Sequence, residues 1–220
     1  MVGLTPLFAL PGLSEHFGHN IYIKSEGHNP SGCFKDRETA LCMLNARRLG
    51  YKRAVIFSSG NAAASAAIAI QHTDFHLITL VSGDTYEDKI DYIRDHGSDV
   101  IVIGDDRINF ETGYRLFAKL NAAGEFEQEQ YDNWSVINPY RVQGDKTTAI
   151  EIHRQLLELA QSPVPDYVIV PTANGSCLAG VWEGFKEMCR LGVIERLPRM
   201  VSAGYPQCQP GVPGGTKWPI

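Results

Sequence analysis

A lysine with the potential for covalent chemistry stands in the stretch NPSGCFKDRETA, residues 29–40. Lys35 follows a Pro-Ser-Gly turn and Phe34, and it opens a segment predicted to be a helix as far as Leu49, where Gly50 ends it. The helix dipole is positive at this end, so it disfavours the charged form of a lysine. A neutral amine is the form that makes a Schiff base. From this stretch alone, Lys35 is either such a nucleophile or an ordinary solvated lysine.

Small polar residues follow a predicted strand in SSGNAAASAA, residues 58–67. Gly60 permits a tight turn, and Asn61 is a residue type that caps helices. Ser58 and Ser59, together with the N–H groups of a helix N-terminus, are typical of a nest that binds a carboxylate. Asn61 is also suited to donate a hydrogen bond to a ring hydroxyl. A plain helix cap with small residues for close packing explains the pattern equally well.

The stretch PTANGSCLAG, residues 171–180, repeats this strand–turn–helix arrangement. The backbone N–H groups of this small-residue turn are expected to cradle a phosphate. The pattern is weak by itself, because it lacks both the G-x-G-x-x-G spacing and the P-loop spacing. Lys146, in QGDKTT, also lacks P-loop spacing and suits a solvated helix face.

Each of the three loops lies between the end of a predicted strand and the start of a predicted helix. In parallel α/β proteins, ligands bind beyond the carboxyl ends of the strands, where helix N-termini point. A Schiff-base lysine, a carboxylate nest and a phosphate cradle together indicate pyridoxal 5'-phosphate (PLP) as the cofactor. The sequence predicts its aldehyde on Lys35, its phosphate on the third loop (171–180), and the carboxylate of an amino acid on the second loop (58–67).

Short β-branched runs alternate with helical stretches along the chain. The predicted strands are 21–26, 53–59, 76–82, 99–104, 135–138, 167–171 and 200–203. The predicted helices are 35–49, 61–71, 86–96, 110–123, 145–161 and 175–190. This alternation predicts an α/β fold with parallel sheets and helices on both faces.

The strands divide the chain into two predicted domains. The four strands within 53–138 suffice for a small domain, whereas the flanking parts hold too few strands to be stable alone. We therefore predict two parallel-sheet domains with flanking helices (three-layer αβα), a small one over 35–149 and a discontinuous large one over 1–34 and 150–203. The cofactor cleft is expected between them. The stretch 204–220, rich in Pro and Gly, is predicted to be an irregular tail.

The composition excludes several classes of protein. The chain has 220 residues, 44% of them hydrophobic, and a net charge of −5. It is large enough for a sizeable core and electrostatically unsuited to nucleic acid. No apolar run suits a membrane span, and the N-terminus lacks the pattern of a signal peptide. The five cysteines lack C-x-x-C spacing, which argues against a disulfide framework or a metal site and favours the cytoplasm.

Four motifs, in order along the chain, resemble a known family. EGHNPSGCFKDR (26–37), SSGNAAAS (58–65), NPYRVQGDKTTAIEI (138–152) and VPTANGSCLAG (170–180) resemble segments of the threonine synthases. These are fold-type II PLP enzymes, similar to the β subunit of tryptophan synthase. Several motifs in the right order are far more specific than any one of them, so the Schiff-base role of Lys35 becomes the favoured interpretation.

The resemblance implies a role for each matching residue. Lys35 would hold PLP as a Schiff base and then transfer protons. Asn61 would bond the ring hydroxyl, Ser58–Gly60 would receive the substrate carboxylate, and Ala173–Cys177 would cradle the phosphate. Arg141 is a further candidate for binding the substrate. The implied reaction converts O-phosphohomoserine and water to threonine and phosphate.

Two features depart from the family pattern. The phosphate loop has Ala173, Asn174, Gly175, Ser176 and Cys177 where the family usually has Gly-Asn-Gly-Gly-Asn. If Ala173 or Ser176 needs a positive φ, the cost is on the order of 1 kcal/mol or more. The chain is also shorter than family members, so we expect an incomplete large domain. A fragment, a split gene product and a degenerate relative all fit this expectation.

Three functions stay open at this point. The favoured one is a threonine-synthase-like lyase that acts on a small phosphorylated amino acid. The second is another PLP enzyme of replacement or elimination, such as a cysteate-synthase-like or dehydratase-like protein. The third is a non-catalytic module that binds or regulates a full-length relative. A homodimer and an association with a full-length relative are the expected assemblies, and no nucleic acid, membrane or metal partner is expected.

Overall fold

The computed structural model describes residues 1–105 and 110–204, in which strands and helices alternate. The strands are β1 (Leu7–Ala9), β2 (Tyr22–Lys24), β3 (Arg53–Phe57), β4 (His76–Ser82), β5 (Asp99–Ile103), β6 (Tyr131–Asn133), β7 (Tyr167–Pro171) and β8 (Arg199–Ala203). The helices are α1 (Pro11–Phe17), α2 (Lys35–Arg48), α3 (Asn61–Ile70), α4 (Glu87–Asp95), α5 (Phe110–Ala122), α6 (Glu125–Gln128), α7 (Pro139–Glu158) and α8 (Ser176–Arg190). Of these, β1, α1 and α6 were not predicted from the sequence.

The chain divides into two compact units. The first unit contains Met1–Val2 and Gly27–Arg141, and the second contains Gly3–Glu26 and the described residues from Val142 onward. The second unit is therefore discontinuous in sequence, and its internal boundaries, at 26/27 and 141/142, lie eight residues before the predicted 34/35 and 149/150. The predicted tail, apart from Gly204, lies outside the described residues. Within the described part of the chain, no helix combines the length and the apolar content needed to cross a bilayer.

The first unit is built on a four-stranded parallel sheet in the order β5-β4-β3-β6. Along β3, Ala54 and Ile56 belong to one hydrophobic cluster, whereas Val55 and Phe57 belong to another. All four side chains are buried. A strand that is buried on both faces requires a helical layer on each face.

Both layers are present in the first unit. On one face, Cys42 and Ala46 of α2 pack with the alanines of α3 and with Ile93 of α4. On the other face, Phe117 of α5 is fully buried, and Phe126 of α6 stacks on it with ring centroids 5.1 Å apart. The predicted α/β architecture of parallel sheet and flanking helices is confirmed.

The second unit contains two small sheets within its described residues. Strands β1 and β2 pair antiparallel, and strands β7 and β8 pair parallel. Leu7 and Tyr22 pack against the core that α7 and α8 build around Phe185. Lys24 Nζ lies 2.6 Å from the carboxylate of Glu151 on α7. Side-chain packing and this ion pair therefore join the N-terminal part of the unit to the later part.

Two predicted elements are displaced in the structure. The fourth strand of the parallel sheet is β6, not residues 135–138, because Tyr131–Asn133 pairs with Arg53–Val55. Val136 and Ile137 are exposed, so their β-branched side chains do not mark a strand. Helix α7 begins well before residue 145, because Asn138 Oδ1 accepts the N–H of Tyr140 at 2.9 Å and Pro139 occupies the first turn.

Candidate cofactor site

Buried polar side chains fold the loop that precedes Lys35. Gly32 adopts a φ of +78° and donates its N–H to the carbonyl oxygen of Asn29 at 2.8 Å. The Asp36 carboxylate accepts the N–H of Ser31 at 2.7 Å. Asn29 and Asp36 are each 4% exposed. These contacts fix the start of α2, and Lys35 is its first residue, as predicted.

The Lys35 side chain lies between an aromatic ring and a buried carboxylate. Its Nζ atom is 4.3 Å from the centroid of the Phe34 ring and 2.8 Å from Glu38 Oε1. The Lys35 side chain is 13% exposed, and that of Glu38 is 0% exposed. The other carboxylate oxygen of Glu38 pairs with the guanidinium of Arg141, which is 2% exposed. Lys35, Glu38 and Arg141 therefore form a charged triad inside the first unit.

Arg141 lies in the first turn of α7, where a backbone carbonyl holds its guanidinium. Its Nη1 atom donates a hydrogen bond to the carbonyl oxygen of Trp134 at 2.6 Å. With its second contact to Glu38, the guanidinium is buried within the first unit. The sequence placed Arg141 among the substrate ligands. That role stays a prediction, and the described contacts of Arg141 are with protein groups.

Two cysteines near Lys35 are poor nucleophiles by comparison. Burial raises the pKa of the Cys33 thiol, although a hydrogen bond with Ser31 opposes the shift. Burial raises the pKa of the Cys42 thiol to about 12, with a smaller opposing effect from Arg141. Only a thiolate is an effective sulfur nucleophile. In this part of the unit, the amine of Lys35 is therefore the side chain suited to attack a carbonyl carbon.

The loop between β3 and α3 presents small polar groups. Gly60 occupies the N-cap position with φ −125° and ψ −152°, and no side chain caps the helix. Asn61 is the first helical residue and is exposed, so the predicted capping role of Asn61 is wrong. Ser58 Oγ accepts the N–H of Gly60 at 3.2 Å. The Asn61 amide therefore faces solvent, as a group that bonds a ligand must.

A buried hydroxyl pair aligns the starts of α2 and α3. Thr39 Oγ1 and Ser65 Oγ lie 2.8 Å apart, and each residue lies four positions after the first residue of its helix. Helix α2 leads into β3 and α3 leaves it, so the two helices run in the same direction. Since four residues make about one turn of roughly 5.4 Å, Lys35 and Asn61 lie at the same end of the two helices.

This end of the helices coincides with the topological switch point of the sheet. The chain continues from β3 to β4 and β5 on one side and later adds β6 on the other side. Open α/β sheets bind ligands in the crevice beyond the carboxyl ends of such a strand pair. The end of β3 carries Ser58–Asn61. The end of β6 carries Ser135, whose Oγ accepts the N–H of Phe57 at 3.0 Å.

The predicted phosphate loop belongs to the second unit. Gly175, with a φ of +87°, is the N-cap of α8, whereas Ala173 and Ser176 have ordinary negative φ values. Neither Ala173 nor Ser176 therefore carries the free-energy cost of a positive φ that the sequence analysis considered. Asn174 Oδ1 accepts both the N–H and the hydroxyl of Ser176, each at 3.1 Å. The glycine turn at the start of a 15-residue helix suits an anion, and Cys177 follows in its first turn.

Close packing of α8 on α7 positions this loop. A Cβ atom at Gly180 would lie 2.3 Å from Asp145 Cβ, and one at Gly184 would lie 2.7 Å from the carbonyl oxygen of Lys146. Glycine at these two positions therefore allows the helices to approach closely. Lys146, which the sequence assigned to a solvated face, pairs with Glu187 of α8 at 2.8 Å. The start of α8 is consequently held by the helix pair as well as by β7.

The first unit thus brings together most of the predicted site residues. Lys35, Ser58–Gly60 and Asn61 lie at one edge of its sheet, and Arg141 joins Lys35 through Glu38. Ala173–Cys177 belongs to the second unit. Sequence reasoning missed Glu38, although a glutamate three residues after a helical lysine is a spacing at which side chains meet.

Comparison with known proteins assigns the chain to a family. Residues 1–209 match the family of pyridoxal-phosphate dependent enzymes. This match covers nearly the whole chain, and the chain belongs to that family. The predicted cofactor is confirmed as the cofactor of the family, and the described residues fit it: an amine, an exposed amide and two helix N-termini are available.

Curated relatives narrow the resemblance. The chain is 33% identical over 200 residues to a threonine synthase of Methanosarcina acetivorans, which covers 90% of this chain and 46% of the relative. A threonine synthase of Synechocystis is 30% identical over 219 residues, which covers 94% of this chain and 53% of the relative. The chain therefore spans about half the length of the curated relatives it matches.

A solved structure that is named as a threonine deaminase shares the fold. Threonine deaminase isoform 2 from Solanum lycopersicum superposes with a TM-score of 0.72 and 26% identity, over 91% of this chain and 50% of that one. Fold similarity alone does not identify the reaction, because one fold supports several activities.

Proposed function

We propose that this chain contributes the catalytic lysine and the cofactor phosphate loop of a threonine-synthase-like lyase. The substrate would be O-phosphohomoserine, and the products would be threonine and inorganic phosphate. The observation that carries the proposal is the place of Lys35. It opens α2 beside the Ser58–Asn61 loop, at the carboxyl edge of a parallel sheet, in a chain of the PLP family.

Each residue has a part that its surroundings support. PLP, when bound, supplies an electron sink that stabilises negative charge at the substrate Cα. Lys35 holds the cofactor and moves protons at Cα. The N–H groups of α3 and the hydroxyls of Ser58 and Ser59 bind the substrate carboxylate. Asn61 donates to the ring hydroxyl. The first turn of α8, with Gly175 and Ser176, binds the cofactor phosphate.

The overall reaction balances without a further reactant. The Cβ–H bond and the Cγ–O bond break, and phosphate leaves with the electron pair of the Cγ–O bond. Water then adds its hydroxyl at Cβ, and the two protons released from Cβ and from water go to Cγ and to the phosphate. Loss and return of the protons require a base that can approach successive carbons, and the flexible Lys35 side chain suits that task.

The first test is a direct assay of cofactor attachment. The purified chain is mixed with PLP, reduced with borohydride and mapped by peptide mass spectrometry. We expect one dominant adduct on Lys35 and its loss in Lys35→Ala. Adducts spread evenly over surface lysines such as Lys52, and equal in Lys35→Ala, would overturn the proposed attachment.

The second test identifies the reaction. Phosphate release from O-phosphohomoserine is compared with that from O-phosphoserine and with 2-oxo acid formation from threonine. Activity on threonine would favour a deaminase-like enzyme, which the likeness to the tomato threonine deaminase supports. Attachment of PLP without turnover of any of these would favour a binding or regulatory module.

A further inference from the structure

We infer that Glu38 is the positioning residue of the Schiff-base lysine, and that Arg141 supplies the charge that lets it serve this purpose. The inference rests on the proposed role of Lys35 and adds a residue that neither the motifs nor the family match singles out. It concerns the first unit alone.

The geometry gives Glu38 control over the direction of the Lys35 amine. Glu38 lies three residues after Lys35 on α2, and its Oε1 atom is 2.8 Å from Nζ. The Glu38 side chain is fully buried and is therefore fixed by its surroundings. A lysine side chain with several rotatable bonds loses most of its freedom when its terminal nitrogen is held in this way. When one N–H of Lys35 is bonded to Glu38, the other bonding positions of the Nζ atom point away from Glu38.

Arg141, the second partner of Glu38, balances the charge of the Glu38 carboxylate. A lone buried carboxylate would demand a cation beside it, because an uncompensated buried charge is strongly unfavourable. Arg141 already provides this cation, at 2% exposure and with a fixed hydrogen bond to Trp134. The pair of Glu38 and Arg141 has no net charge. Glu38 can therefore hold the Lys35 Nζ atom while its own charge is already balanced by Arg141.

One neighbouring side chain is consistent with this arrangement. The Phe34 ring covers Lys35 Nζ at 4.3 Å and limits its contact with water. The amine is thus oriented in a partly dry place, and orientation of this kind contributes directly to reaction rate.

The test measures the reactivity of Lys35 inside a folded chain. PLP is added to the whole chain, samples are reduced with borohydride at intervals, and the rate of adduct formation is measured at each lysine. Lys52, 74% exposed and paired with Asp74 at 3.0 Å, is the internal reference. Rates are reported as the ratio of Lys35 to Lys52, so differences in reagent or concentration cancel.

The decisive variant removes both members of the ion pair. In Glu38→Leu/Arg141→Met, an apolar pair replaces the buried ion pair, a change that is often neutral or stabilising. We expect the Lys35-to-Lys52 ratio to fall about 10- to 100-fold, a range typical of lost orientation. Glu87→Leu, an exposed glutamate in the first turn of α4, is the matched control and should leave the ratio unchanged.

The outcomes separate the two proposals. A folded double variant with the wild-type ratio would show that Glu38 only neutralises Arg141, and the inference would be wrong while the attachment of PLP to Lys35 stands. A higher Lys35-to-Lys52 ratio in the double variant would also overturn the inference, because Glu38 would then slow the reaction of the amine in the wild-type chain. A wild-type chain that forms no preferred adduct on Lys35 would overturn both the proposed function and the inference.

A measurement on the unmodified chain decides the question if the double variant does not fold. Side-chain ¹⁵N NMR of lysine-labelled chain, with Lys35 assigned by its absence in Lys35→Arg, reports hydrogen exchange at Nζ. We expect slower exchange at Lys35 than at Lys52, because a buried carboxylate holds its hydrogen. Equal exchange at the two lysines would contradict a positioning role for Glu38.

Discussion

The two units support their helix N-termini in different ways. In the first unit, α2 and α3 lie on a four-stranded sheet whose central residues, such as Val55 and Ile56, are 1% exposed. In the second unit, α8 follows a two-stranded sheet in which Ile169 is 67% exposed. There, the contact of α8 with α7 through Gly180 does much of the positioning. The lysine therefore depends on a sheet with two covered faces, whereas the phosphate loop depends on one helix pair.

The largest expected effect comes from the core of the first unit. Trp134→Ala should destabilise the chain by about 3–5 kcal/mol, because a fully buried aromatic side chain leaves a large cavity. Ile169→Ala, in the exposed sheet of the second unit, should change the free energy of unfolding by less than about 0.5 kcal/mol. Urea unfolding followed by circular dichroism measures both. Equal losses in the two variants would contradict the proposed contrast between the units.

The next effect tests the helix pair of the second unit. Gly180→Ala should destabilise the chain by about 1–3 kcal/mol, because its Cβ would meet Asp145 Cβ and the carbonyl oxygen of Val142. Gly12→Ala in α1 is the matched control, since a Cβ there meets nothing within 4 Å. The control should gain up to about 1 kcal/mol from better helix propensity. If both variants gained stability, close approach would not be what holds α8 on α7.

A smaller effect tests the alignment of α2 and α3. Thr39→Ala should cost about 1–2 kcal/mol, because it leaves the buried hydroxyl of Ser65 without its partner. Ser65→Ala and the double variant complete a cycle. The coupling free energy between the two sites should be distinct from zero, with a magnitude of about 0.5 kcal/mol or more. Additive losses would show that the two hydroxyls act independently and do not align the helices.

The smallest effect concerns Asp132, the middle residue of the three-residue strand β6. Burial raises the pKa of Asp132 above its ordinary value of 3.8, with opposing hydrogen bonds from Trp134 and Asn133. A raised native pKa stabilises the fold at low pH, and this stabilisation is lost as the pH rises through that pKa. Asp132→Asn should therefore gain less than about 1 kcal/mol near neutral pH, after screening by solvent. Urea midpoints between pH 3 and pH 7 test this: the gain should disappear at the acid end.

The sequence predicts those strands and helices whose local hydrophobic pattern agrees with their burial in the structure. The strands β3, β4 and β5 are apolar runs bounded by turns, and α2 begins at Lys35 as its flanking turn indicates. It was insufficient where exposed β-branched residues imitate a strand, as Val136 and Ile137 do. The true β6, Tyr131–Asn133, is polar and short. Its assignment depends on pairing with β3, a long-range contact that no local pattern contains.

The candidate site shows the same division. Lys35, Asn61 and the Ala173–Cys177 loop follow from motifs, because their chemistry is local to a strand end and a helix start. The ion pair between Glu38 and Arg141 joins residues that are distant in sequence, so only the fold reveals it. The φ values of Ala173 and Ser176 likewise required the structure. A sequence shows that a side chain is present, but not which backbone conformation it adopts.

The strand order has a consequence for how the chain is made. Strands β3, β4 and β5 can pair as soon as they are synthesised, but β6 begins 74 residues after β3 ends. At roughly 5–20 residues per second, one edge of β3 therefore stays open for about 4–15 seconds during synthesis. That edge presents the apolar run of Ala54–Phe57, and an open apolar edge is a template for pairing with other chains. The late arrival of β6 makes the ribosome-bound intermediate, rather than the finished unit, the species most exposed to aggregation.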